Sequence, residues 1–174
     1  MTTRARLITR IALLAAMIYV LSWATAYFPN VNLAFFIAFS SGYIWGAWAG
    51  LAVGALGMWL WTSFNPLGPA MPLVAVAQVA GLALCGLLGF LFRTALNKAR
   101  GGRIRAMLLL LAALLCTLVF YVPVTMVDAW VIQPFWPRLW TGMAFSLISL
   151  ISNFVIFPLL FGVTRRICER EGMA

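Results

Sequence analysis

The side chains in this sequence that could do chemistry are few, and their types narrow what that chemistry can be. There are 3 acidic residues, no histidine and three cysteines, Cys85, Cys116 and Cys168. Proton transfer through a Ser–His–Asp or Cys–His pair needs an imidazole, and a histidine metal site needs more than one. Paired carboxylates for acid–base work are out of reach with so few acids. The cysteines stand far apart without ligand spacing, so they define no metal centre and no disulfide framework. This inventory calls for no cofactor and no enzyme. It leaves the chemistry of binding, carried by amides, an acid and tryptophans.

Those polar groups are unevenly placed. Asn30, Asn32, Asn65, Asp128 and Gln133 fall at one set of helix ends, together with Arg138. Gln78 falls in the first turns of a later apolar run, and Asn153 about midway along the last one. Amides and carboxylates in an apolar phase are costly unless paired or used. Trp59, Trp61, Trp130, Trp136 and Trp140 gather near the same ends. Each tryptophan alone fits an interfacial belt; in combination with the amides they describe an outward-opening pocket. Trp61, Asn65, Gln78, Asp128, Trp136 and Asn153 are expected around that pocket, with Asn32 as a further binding residue. Asp128 and Arg138 either face the ligand or pair with each other.

The elements that must hold these residues are transmembrane helices. Of 174 residues, 65% are hydrophobic and 9% charged, and the mean hydropathy is +1.05. A soluble domain carries about a quarter charged residues. Apolar runs cover 7–28, 73–92, 107–127 and 141–163, each long enough to span. The first begins behind Arg4 and Arg6 as a signal peptide would, but it outlasts an h-region and reads as an uncleaved helix. The stretch 33–64 is 32 residues long. As one helix it would reach about 48 Å, against a hydrocarbon core of about 30 Å.

Charge decides how that stretch divides. All of the 12 basic residues except Arg138 fall in three clusters, 4–10, 93–105 and 165–170. Two short helices, 33–48 and 51–64, meeting near Gly46–Gly50, bring the three clusters to one side. The expected architecture is therefore an all-α bundle of six transmembrane helices over 1–174, a single membrane domain, with both termini cytoplasmic. Basic clusters at one face meet anionic lipid headgroups; the net charge of +9 is thus a lipid signal rather than a nucleic-acid one. The two short helices are expected to pack inside the protein or around a cavity.

Two further patterns concern packing. Six of the 8 prolines, including Pro66, Pro69 and Pro72, sit in the outer connections, where a preset φ lowers the ordering cost of a loop. Gly42, Gly46, Gly50 and Gly54 recur every four residues, and Ala12/Ala16 and Ala77/Gly81 are small-xxx-small pairs. Such faces allow close helix approach in lipid, either within the chain or, at Ala12 and Ala16, against another membrane protein.

The run from YFPNVNLAFF through the glycine hairpin and FNPLGPAMPLVAVAQ, together with SLISNFVIFPLLF near the end, resembles the substrate-binding S-components of energy-coupling factor (ECF) vitamin transporters. The shared features are a basic start, an AxxxA first helix, a PNV loop (29–31), a glycine-rich hairpin, a proline-rich loop before the fourth helix and an asparagine in the last. The PNV loop and hairpin are most similar to the cobalamin-type branch. FNPLGP stands where that branch carries a GxGPWTPWQ-like stretch, which leaves the substrate open. The resemblance implies uptake of a vitamin or related micronutrient across a bacterial or archaeal cytoplasmic membrane. It also implies a separate ECF transmembrane partner and a pair of ATPases. Ala12 and Ala16 would form the docking face for that partner. The chain has no P-loop of its own, so ATP would be bound by partners alone. A stand-alone facilitator and a non-transporting subunit of a membrane complex are the other readings.

Overall fold

The computed structural model describes residues 3–27 and 31–171. Pro29 and Asn30 of the PNV loop lie outside the described residues. Six helices follow one another: α1 (Thr3–Ala24), α2 (Ala34–Trp45), α3 (Ala47–Phe64), α4 (Pro72–Lys98), α5 (Gly102–Val131) and α6 (Phe135–Arg170). Together they take up 87% of the described residues, and no strand occurs among them. All except α2 are long and apolar enough to cross a membrane. The chain is a multi-pass, all-helical membrane protein.

The long apolar stretch breaks at a single residue. Gly46 has φ +95° and ψ 175°, a conformation nearly closed to residues with a Cβ. Its N–H bonds the carbonyl of Gly42 as α2 ends, and α3 starts at once. The second half therefore begins at 47 rather than 51, and its 18 residues suffice to span. The 12 residues of α2 do not: at 1.5 Å each they reach about 18 Å. Every residue from Ala34 to Ile44 is buried. A helix that is apolar all round and too short for lipid belongs inside the protein, and α2 touches each of the other five helices.

Glycine makes that central position possible. A Cβ added at Gly42 would lie 1.8 Å from the Gly86 carbonyl oxygen, and one at Gly89 would lie 1.9 Å from that of Phe39. The α2–α3 hairpin thus seats its backbone directly against α4, and Gly42, Gly50 and Gly54 of the glycine ladder form an internal seam. Around α2 an aromatic core closes: Phe36 and Phe39 pack on Phe157, Phe35 on Phe120 and Tyr43 on Phe161.

The helices run further than their apolar stretches. α4 continues from 92 to Lys98, α5 starts at Gly102 and α6 extends to Arg170. Arginine and lysine are good helix formers whose stems lie along apolar surface while the charges reach water. Successive helices alternate in direction, which brings 4–10, 93–105 and 165–170 to one end. Arg10 pairs there with Glu171 and lies 5.5 Å from the Trp45 ring centre.

Candidate functional site

The opposite end of the bundle contains a cavity of about 510 Å³ to which all six helices contribute. Ser22 enters from α1, Phe35 from α2, Met58 and Trp61 from α3, and Val74 and Gln78 from α4. The wall from α5 is the longest, with Phe120, Tyr121, Val124, Thr125 and Asp128; Gly142 and Phe145 come from α6. Tyr121, Thr125 and Asp128 follow helical i, i+4, i+7 spacing, so one face of α5 presents phenol, hydroxyl and carboxylate. Phe35 stacks on Tyr121 at 5.9 Å and meets Phe120 edge-on at 5.0 Å, forming an aromatic corner. α5 and α6 converge at Gly142, where a Cβ would stand 2.4 Å from Thr125 Cγ2.

Asn32, Trp61, Gln78 and Asp128, four of the residues expected at a ligand site, line this cavity. Asn32 also ties α1 to α2. Its Nδ2 donates to Ser22 Oγ at 3.0 Å, and its Oδ1 accepts the Ala34 N–H at 2.8 Å as α2 begins. Gln78 has no hydrogen-bond partner among the described residues, which leaves its amide for a ligand or water. The Asp128 carboxylate receives Arg138 Nε at 2.7 Å and Nη2 at 3.4 Å. The two charges therefore pair, and the only acid on the wall is balanced from the rim.

The other three expected residues lie elsewhere. Asn65 shapes the loop after α3: Nδ2 donates to the Trp61 carbonyl, and Oδ1 accepts the Leu67 N–H at 2.9 Å. With Gly68 N–H on the Asn65 carbonyl and Ala70 N–H on that of Thr62, the proline-rich segment is a fixed turn that brings Leu67 to the cavity. Trp136 points outward, 65% exposed, with its ring against Phe135. Asn153 is fully buried on the α5–α6 seam, about two turns beyond Phe145. Its Nδ2 donates to Thr117 Oγ1 at 3.0 Å, and its Oδ1 has no partner among the described residues. An amide in a transmembrane helix thus serves an interhelical bond here.

Sequence reasoning missed Ser22, Thr25, Tyr121 and Thr125. The heptad-like spacing of Tyr121, Thr125 and Asp128 was a usable signal; nothing local marked Ser22 or Thr25. Ala12 and Ala16 are exposed, whereas Ala15, Ile18 and Ser22 turn into the bundle. The small-residue pair therefore lies on the face of α1 that no other helix covers. A second hollow, about 570 Å³, lies on the outer flank between α3 and α4 and is mostly apolar.

The cavity offers aromatic faces, hydroxyls, amides and an ion-paired carboxylate: a surface for holding a molecule by shape and a few hydrogen bonds. No family model, curated protein or solved structure matches the chain.

Proposed function

We propose that this chain is the membrane-embedded binding subunit of an uptake system for a small organic micronutrient. The observation that carries the reading is the convergence of all six helices on one cavity, at the end away from the basic clusters. By the positive-inside rule the basic end faces the cytoplasm, so the cavity opens to the outside of a bacterial or archaeal cytoplasmic membrane. This agrees with the resemblance to ECF S-components. In that arrangement a separate transmembrane partner docks on the Ala12/Ala16 face, and paired ATPases supply the energy.

The lining narrows the ligand. With Asp128 neutralised by Arg138, a neutral or zwitterionic molecule suits the wall better than a strongly charged one. A volume of about 510 Å³ fits a planar ligand of one or two rings beside Phe35, Tyr121 and Trp61. The cavity opens at one side, so a vitamin or cofactor precursor, a cobalamin-like one included, could be held with part of it outside the wall. Mass spectrometry of small molecules copurifying with the detergent-solubilised protein tests the proposal. A single ring-containing compound that exchanges with added ligand is the expected result. Copurification of lipid alone, with no small molecule retained by protein expressed in rich medium, would count against it.

A further inference from the structure

The basic end holds a third, smaller hollow of about 180 Å³, set between α2, α4, α5 and α6. Its floor is Tyr43 and Cys168, both nearly inaccessible, and its mouth is formed by Asn97, Arg165 and Glu169. Tyr43 donates its hydroxyl proton to Asn97 Oδ1, so the donors left to that amide are on Nδ2. Arg105 lines the hollow, with Nη2 3.3 Å from the Ala99 carbonyl. Arg105 Nε is buried and has no hydrogen-bond partner among the described residues.

With so few acids most of the basic residues have no carboxylate of their own, and what sets Arg105 apart is its buried Nε. The chain has 3 acidic residues, and each pairs with a different arginine: Glu171 with Arg10, Asp128 with Arg138 and Glu169 with Arg165. Arg105 itself is in no ion pair among the described residues, although the Glu169 carboxylate, already bonded to Arg165, stands at the mouth of the same hollow. A partly buried guanidinium without its own ion pair is expensive; Arg105, Arg165 and Asn97 Nδ2 supply N–H donors suited to the oxygens of an anion, and the Glu169 carboxylate beside them is held by Arg165. We propose that this hollow binds a phosphate group, supplied by the headgroup of an anionic phospholipid. At about 180 Å³ it is much the smallest of the hollows, on the scale of a phosphate group rather than a nucleotide. It also lies between helices at the basic end, where lipid phosphates are at hand. This inference does not depend on the identity of the outer-cavity ligand.

Native mass spectrometry of the full chain, with phosphatidylglycerol and phosphatidylcholine offered in equal amounts, tests it. The protein should retain phosphatidylglycerol preferentially, and Arg105→Gln should weaken that retention roughly tenfold. Arg103→Gln removes the same charge from an exposed position outside the hollow and should leave retention near the starting level. Unchanged retention in Arg105→Gln, or an equal fall in Arg103→Gln, overturns the site. If Arg105→Gln does not fold, Arg105→Lys decides in its place. It keeps the charge but loses the planar fork, so undiminished retention there overturns the proposal. Millimolar inorganic phosphate is expected not to displace the lipid; displacement would overturn the lipid source.

Discussion

At Gln78 an amide reaches the cavity with no partner among the described residues, whereas at Asn153 a similar amide is committed to Thr117. The two should respond differently to truncation. Gln78→Ala should lower affinity for the copurifying ligand by about 5- to 150-fold, the equivalent of about 1–3 kcal/mol for a buried hydrogen bond. Its melting temperature should hardly move. Asn153→Ala should leave affinity unchanged and cost less than about 1 kcal/mol of stability, because interhelical hydrogen bonds in membranes average ~0.6 kcal/mol. The unpartnered Oδ1 reduces that cost further, since removing it also removes a desolvated acceptor. Titration and melting of both variants check the assignment; a loss of affinity in Asn153→Ala would return that residue to the site.

The α2–α3 hairpin depends on two different properties of glycine. At Gly46 nothing stands within 4 Å of an added Cβ, yet φ is +95°; the constraint is conformational. Gly46→Ala should therefore destabilise the protein by about 1–3 kcal/mol despite the open space. Gly162, inside α6, also has open space, but no positive φ. Gly162→Ala should be neutral or stabilising by up to about 1 kcal/mol through helix propensity alone. Thermal melting of the pair in detergent separates backbone strain from packing. At Gly89 the constraint is contact: a side chain would meet the Phe39 backbone. Gly89→Leu should push α2 off α4 and prevent recovery of a monodisperse protein in size-exclusion chromatography.

On the scale of the whole molecule, the bundle has a cavity at one end and basic clusters at the other, and its exposed small-residue face lies on α1. Cysteine labelling can test the orientation because Cys85, Cys116 and Cys168 are all buried. A cysteine at Leu67, which is 78% exposed, should react with an impermeant maleimide from outside in intact cells. One at Arg100 should react only after permeabilisation. The reverse pattern would invert the topology. Replacing Ala12 and Ala16 by Leu should spare ligand binding and abolish uptake, since two bulky side chains hold a partner helix away from a face suited to close approach. Parallel loss of binding and uptake would show that the face serves this chain's own packing.

The composition and the clustering of arginines by themselves determined a helical membrane protein and the number of its helices, because hydrocarbon admits few backbone solutions and charge sorts helix ends. The need for a break near Gly46 was legible for the same reason, as a length that no bilayer accommodates in one straight helix. The depth of α2 was only partly legible: its apolar sequence reads equally well against lipid or protein, and its burial depends on Gly86 and Gly89 of α4, far along the chain. The site divided in the same manner. Asn32, Trp61, Gln78 and Asp128 were visible as polar or amphipathic groups near one end. Which amides face the cavity, and which are spent on Trp61, Leu67 and Thr117, was decided only by tertiary structure. An amide's type and depth state that it needs a partner; the rotation of its helix decides whether a neighbouring helix or a ligand supplies one.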